Sequence, residues 1–400
     1  MSRVRPAILK VCLLLAIPAA AFWASVDLAS SVMLGIAVVA GWFAVLACLP
    51  SLKVQNASLA LLSIFLGCGA LEMVLRTSLM AGVIVGRDAA DMMAGQGSTT
   101  DPPLFTRDET LGVRLIPNRR SRQTLTKDGQ PIYDAVYTTD ANGFRTLPPG
   151  PAGDTPVLLL GDSFNFGVGI NDDQTLAFYL RDLSAGRLKP VNLAIPGLGI
   201  HQVLRQLEIG EPARSGHKKF SFALLSIVDD HVSRANGRVF WLRHSPRYEV
   251  EPGDRLVLRG TYEHPSKFVR NLLAGSRLFA LAWNTISADS DGDRHRFVRI
   301  LREIKSRLST EYGARVVVLY FSGQTWRGDL TGARDMMVPL LCRADVSFID
   351  VSSLVRVSSE PIDRFYISGD GHPTAQLNRL LASTIIAGMA EPSRFAACPR

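Results

Sequence analysis

Cysteine is scarce, five in 400 residues. Three of the five, Cys12, Cys48 and Cys68, fall in apolar N-terminal stretches, where a thiol behaves as a small hydrophobe. The other two, Cys342 and Cys398, show no metal-ligand spacing, and the seven histidines are scattered without the intervals of a zinc site. No glycine-rich loop ending in Gly-Lys-Ser/Thr is present. Gly167-Val168-Gly169 lacks a third glycine at dinucleotide spacing. No metal and no organic cofactor is therefore implied. The net charge of +8 is spread thinly, as in Arg119-Arg120, Lys218-Lys219 and residues 294–307. No basic run alternates with stacking aromatics, so nucleic acid is not an expected partner. Mild basicity fits either an anionic surface or a plain solvated face.

What is present is unevenly distributed. Three apolar segments, about 7–26, 30–49 and 57–75, each approach the ~20 residues a helix needs to cross a membrane. Arg3, Arg5 and Lys10 precede or open the first, and Lys53 lies between the second and third. The link between the first two holds Asp27 as its one charge. By the positive-inside rule, everything after Arg76 then lies outside the cytoplasm. If the first segment is instead a cleaved signal peptide, Ala19-Ala20-Ala21 is the cleavage region, and the C-terminal part is still exported. In an oxidising compartment Cys342 and Cys398 are expected to pair, tying the C-terminal tail to the approach to a late strand.

Residues 1–76 thus read as a transmembrane anchor and 77–106 as a linker. A β-rich neck follows to about residue 150, with turn signals at Asp128-Gly129 and Asn142-Gly143 flanking the strand-like run 132–137. From Pro156 short apolar strands (157–160, 191–195, 222–228, 316–321, 348–351) alternate with helices (175–183, 201–208, 294–312, 375–389). That alternation indicates a parallel sheet covered on both faces. The stretch of about 232–291 is too long for an ordinary loop. It reads as an insertion or cap, with hairpin-like pieces around Pro252-Gly253-Asp254 and an apolar stretch at 268–283.

The most informative segment is Val157-Leu158-Leu159-Leu160-Gly161-Asp162-Ser163-Phe164-Asn165-Phe166-Gly167. A buried strand ends in a serine at the edge where open α/β sheets place ligands. Serine is a poor nucleophile alone and needs a base. A capping serine in a plain strand-to-helix turn gives the same local pattern.

Three later blocks sharpen the choice: Asn192-Leu193-Ala194-Ile195-Pro196-Gly197, Val228-Asp229-Asp230-His231, and Gly369-Asp370-Gly371-His372-Pro373-Thr374. Their order and residues resemble the SGNH (GDSL-like) hydrolase superfamily over roughly residues 156–389. The resemblance implies a five-stranded, flavodoxin-like parallel sheet in a domain of residues 151–400. It implies Ser163 as nucleophile, His372 as base and Asp370 as its orienting carboxylate. It also makes Gly197, with the Ser163 N–H, an oxyanion donor. Two departures stand out. The usual aspartate lies three residues before the histidine, where this chain has Gly369. The usual oxyanion asparagine is replaced by Asp229, and an ionised carboxylate has no proton to donate. Asp229 is therefore protonated, turned away, or the mark of an altered reaction; His231 beside it reads as structural or substrate-facing. Leu111–Asn118 and Thr139–Arg145 resemble the neck of membrane-anchored bacterial members linked to cell-surface glycans and their acyl groups. That likeness implies an inner-membrane protein with its domain on the periplasmic side. The expected activity is removal of acyl groups, acetyl above all, from an extracytoplasmic glycan ester. Transfer of the acyl group to a sugar, or catalytically silent binding of a glycan or partner, are the alternatives.

Overall fold

The computed structural model describes residues 98–262, 290–322 and 331–391, with breaks at 128, 152 and 359. Residues 393 and 395 and a few positions between 56 and 71 are also described. The chain divides into two compact units, Met1–Asp88 with His264–Ala288, and Ala89–Glu263 with Asp289–Arg400. In the first unit Asn56, Ala60, Ser63, Gly67, Cys68 and Leu71 are helical and exposed. The rest of the expected anchor, the linker as far as residue 97 and the apolar stretch 268–283 lie outside the described residues. Among the described residues no helix is long and apolar enough to cross a membrane.

The second unit opens with the neck. Its strands are β1 (Thr99–Asp101), β2 (Phe105–Asp108), β3 (Gly112–Leu115), β4 (Arg120–Lys127) and β5 (Gln130–Thr138). They form an antiparallel β1-β4-β5 sheet and a β2-β3 hairpin. At the Asn142-Gly143 turn, one carboxylate oxygen of Asp140 accepts the N–H groups of Asn142 and Phe144, both at 2.8 Å. A side chain bonding backbone two and four residues on is what makes aspartate a turn former.

The main sheet holds β6 (Thr155–Leu160), β7 (Leu188–Asn192), β8 (Phe222–Val228), β11 (Arg315–Phe321) and β12 (Ser347–Asp350). Between β8 and β11 stands the hairpin of β9 (Pro246–Glu251) and β10 (Arg255–Thr261). The sheet order is β12-β11-β8-β6-β7, every pair parallel. Counted along the sheet's own strands this is 2-1-3-4-5, the doubly wound order whose switch point lies between the first and third strands.

Successive residues of a strand point to opposite faces, and both faces are covered, hence the unbroken apolar runs. Leu158, Leu160, Ala223, Leu225, Ile227, Val316 and Val318 face one layer. That layer is α3 (Ile200–Glu208), α5 (Asp291–Thr310) and α6 (Thr331–Arg343). Val157, Leu159, Leu224, Val317, Leu319 and Phe321 face α2 (Leu176–Leu183), α7 (Val351–Val357) and α8 (Ala375–Ala390). The stripe Phe297, Ile300, Leu301, Ile304 and Leu308 on α5 is fully buried, and Ser290 with Asp293 forms its capping box. Truncating one such residue, Leu159→Ala, costs about 2–5 kcal/mol.

One difference from the sequence reading has a physical reason. The second strand runs Leu188–Asn192 rather than 191–195. β7 is an edge strand, so Lys189 and Pro190 are tolerated there. The apolar run after it is a turn whose Leu193, Ala194 and Ile195 are buried against neighbouring layers. Cys342 is disulfide-bonded; Cys398, its expected partner, lies outside the described residues.

Candidate active site

Ser163 is the first residue of the short helix α1 (Ser163–Phe166), directly past the C-terminal end of β6. Its turn is held from below. The Asp162 side chain accepts the Phe164 N–H at 3.1 Å as N-cap. The Ser226 hydroxyl, the polar break in the apolar β8, accepts the Asp162 N–H at 3.0 Å and donates to its carboxylate at 2.9 Å. Gly161 is required at this crossing. Its φ is +116°, and a Cβ would lie 2.9 Å from the Ser226 carbonyl oxygen, inside any ordinary contact.

The His372 turn lies between β12 and α8. The Ile367 N–H donates to the His372 carbonyl and the Gly371 N–H to that of Ile367, both at 2.8 Å. Gly371 takes φ +93°, which bends the chain so that Asp370 folds back on His372. One oxygen, Oδ2, then receives the His372 backbone N–H at 3.2 Å and faces its ring Nδ1 at 2.5 Å. The two-residue spacing thus delivers a carboxylate to the imidazole. On the far side of the ring, Nε2 lies 2.8 Å from Ser163 Oγ, and Phe164 packs against the imidazole with ring centroids 5.0 Å apart.

His372 is buried and the Asp370 side chain is largely shielded beside it, and their charges answer each other. Burial opposes the Asp370 charge, but His372 outweighs it and holds the carboxyl below its usual range. Burial likewise pulls His372 down; the charge and hydrogen bond of Asp370, with Asp162 behind, leave it above its ordinary value.

Beneath Ser163, Asp162 is wholly buried. Its Oδ2 accepts from Arg234 Nη1 at 3.1 Å and has His231 Nε2 at 3.3 Å, out of hydrogen-bond alignment. Burial works against this carboxylate as well. His231, Arg234 and Ser226 prevail and keep it far below the carboxylate range. His231 has no exposed surface, and burial, its largest influence, pulls its pKa below the ordinary imidazole value against the nearby Asp162 charge. Its role is structural rather than substrate-facing. His231 and Arg234 lie on α4 (His231–Ala235).

Gly197 sits in the turn after β7. Its carbonyl accepts the Trp241 Nε1–H at 3.0 Å, and the next carbonyl, that of Leu198, accepts from Arg234 at 2.9 Å. Asp229, past the end of β8, accepts the Tyr320 hydroxyl at 2.6 Å. That oxygen is acting as an acceptor, as a carboxylate does. Among the described residues no group of metal-ligating side chains is found.

The neck is part of this architecture. Leu104, Leu115, Ala135 and Tyr137 pack with Phe166 and Val168 after the serine and with Ala194, Ile195 and Leu198 around Gly197. Buried Arg145 donates to the carbonyls of Phe166 (2.6 Å), Gly167 (2.5 Å) and Ile170 (2.7 Å) and pairs with Asp172 at 3.1 Å.

No family model matches the sequence, and no curated protein matches it. Solved structures are similar in part. One is LAE5, an α/β hydrolase enzyme from the metagenome of Lake Arreo, at 15% identity and TM-score 0.36, covering 60% of this chain and 96% of that one. Another is a member of the lipolytic G-D-S-L family from Veillonella parvula, at 11% identity and TM-score 0.35, covering 59% and 99%. A third is Axe2, an acetylxylan esterase from Geobacillus stearothermophilus, at 11% identity and TM-score 0.34, covering 60% and 95%. With each of these TM-scores below 0.5, the chemistry must rest on this chain's own geometry.

Sequence reasoning placed Ser163, His372, Asp370, Gly197 and Asp229 at the site. It did not assign roles to Asp162, Ser226, Arg234 or Arg145. Ser226 had a signal, as the one hydroxyl in an otherwise apolar strand, and Asp162 stood inside the quoted motif. Arg234 had none, because its partners come from two distant turns.

Proposed function

We propose that this chain is a serine hydrolase of ester bonds, with Ser163 as nucleophile, His372 as base and Asp370 as the carboxylate that orients the imidazole. One observation carries the reading. At the C-terminal rim of a parallel sheet, beside its switch point, a hydroxyl, an imidazole and a carboxylate form a continuous chain at 2.8 and 2.5 Å. That is the geometry in which a base activates serine and a carboxylate stabilises the imidazolium. His372 Nε2 takes the Ser163 proton as Oγ attacks the ester carbonyl carbon. The N–H groups of Ser163 and Gly197 receive the oxyanion. The tetrahedral adduct expels the alkoxide, which leaves with the proton from His372, and an acyl-serine remains. Water, deprotonated by the same imidazole, releases the acid and restores the serine.

The substrate proposed is an acylated glycan, acetyl esters first, outside the cytoplasm, with the N-terminal apolar segments as bacterial inner-membrane anchor. A sugar hydroxyl in place of water turns the same intermediate into O-acyl transfer. The Asp229 carboxylate, an acceptor for Tyr320 where a third oxyanion donor is expected, favours a second reading, a silent glycan-binding protein. Full-length protein in detergent, incubated with an O-acetylated polysaccharide, separates the three. Free acetate lost in Ser163→Ala supports hydrolysis. Acetate moved to an added oligosaccharide supports transfer. Retained glycan with neither product supports binding alone.

A further inference from the structure

The oxyanion donors sit on two separate turns, after β6 and after β7, and something must keep them in register. Arg234 Nη1 spans the gap. It donates to Asp162 Oδ2, one residue before Ser163, at 3.1 Å, and to the Leu198 carbonyl, one residue after Gly197, at 2.9 Å. Trp241 supports the same turn. Its Nε1–H holds the Gly197 carbonyl at 3.0 Å, and its ring centroid lies 5.9 Å from the Arg234 guanidinium carbon. The Leu198 N–H, on the same peptide as the Gly197 carbonyl, donates to Ile195 at 3.3 Å. Both sides of that peptide are therefore fixed.

Charge gives Arg234 a second task. Asp162 is a wholly buried carboxylate beneath the atom that becomes covalently loaded, and the adduct above it develops negative charge. An uncompensated buried carboxylate opposes that charge through a low dielectric. The other groups around it are the Ser226 hydroxyl on β8 and the buried His231 on α4. Arg234 supplies the cation. His372, the base, is faced by Asp370 on its own turn, by Asp162 from the end of β6 and by Arg234 from α4.

We propose that Arg234, backed by Trp241, is the positioning residue of the oxyanion site: it ties the Ser163 and Gly197 turns together and balances the carboxylate buried under the nucleophile. The inference rests on the serine-hydrolase reading above. A side chain on a helix beyond the third strand thereby takes over part of the ordering that Asp229, an acceptor for Tyr320, does not provide.

The test compares Arg234→Met, Arg234→Lys and Trp241→Phe with the parent, using p-nitrophenyl acetate turnover across pH and the rate of fluorophosphonate labelling. Displacing a catalytic group by about 1 Å costs on the order of 10²-fold in rate. Arg234→Met should lose about 10²-fold in kcat with KM changed by no more than about threefold. Its acidic limb should move to higher pH, because the Asp162 charge then raises His372 unopposed. Arg234→Lys should keep the limb near that of the parent while losing kcat, since the charge stays and the two-acceptor geometry does not. Trp241→Phe removes the indole N–H but no charge. It should lose about tenfold in kcat, part of that same positioning effect, with an unmoved limb. An Arg234→Met protein with parental kcat and limb overturns the inference while Ser163-dependent labelling upholds the hydrolase. If Arg234→Met shows no cooperative melt, Trp241→Phe decides: a selective kcat loss supports the inference and parental kinetics overturn it. Absence of labelling in the parent overturns both.

Discussion

Replacing Arg145 by methionine removes a buried cation from among the backbone oxygens it serves. Three carbonyls, of Phe166, Gly167 and Ile170, lose a charged N–H partner, and Asp172 loses its ion pair. The stacking of the guanidinium over Tyr137 and Phe166, each 4.7 Å from a centroid, is lost too, although methionine retains some of the apolar contact. An unsatisfied buried carbonyl costs about 1–3 kcal/mol and a broken buried pair about 3–5 kcal/mol. These share one side chain and do not add, so about 3–5 kcal/mol is expected in all. For a unit of this size that lowers Tm by roughly 5–8 °C. Arg145→Lys should fall between, because an ammonium cannot address the separate carbonyls as a planar fork does. Differential scanning calorimetry of the detergent-solubilised chain measures both. Turnover should fall as well, because the Phe166 and Gly167 carbonyls end the helix that begins with Ser163. A methionine variant melting within about 2 °C of the parent would refute the claim that the neck latches the nucleophile turn.

In the proposed mechanism the neutral imidazole is the base, so kcat/KM should rise with pH through the His372 pKa. Since Asp370 and Asp162 outweigh burial there, the acidic limb is expected above the ordinary 6.5; a limb below that value contradicts the assignment. In Asp370→Asn the lifting charge is gone, so the limb should shift to lower pH while the maximal rate drops. The same shift contributes to stability: the pair stabilises the fold below the usual histidine pKa, and the gain fades as pH rises through the raised one. Asp229→Asn should raise esterase turnover by about tenfold or more, since an amide can accept from Tyr320 and donate to the oxyanion. An unchanged or slower rate shows that the carboxylate has a task of its own. Non-reducing peptide mapping should recover Cys342 and Cys398 in one bridged peptide, and two free thiols contradict that pairing.

The central sheet was readable because strands buried on both faces are unbroken apolar runs, and Phe222–Val228 stands where the sequence put it. Edge strand β7 was misplaced by its own chemistry, Lys189 and Pro190 hiding the strand and the apolar turn after it imitating one. The α4 and α7 helices went unread, since five and seven residues carry too little periodicity to register. Ser163 was visible as a serine closing a buried strand, whereas the hydrogen-bonded approach of His372 spans 209 positions and is a tertiary fact. The Asp370 spacing looked irregular because the left-handed Gly371 that makes it work is a backbone property. The neck, read as a leader to the domain, packs on both turns of the site. Nothing in a local pattern tells which face of a small antiparallel sheet is covered by another domain element.

The nucleophile is most directly tested by intact-mass and peptide analysis after treatment with a fluorophosphonate. A single adduct on Ser163, abolished in Ser163→Ala and strongly slowed in His372→Ala, is the outcome expected. Modification at another residue, or none while the protein still cleaves an ester, contradicts the account.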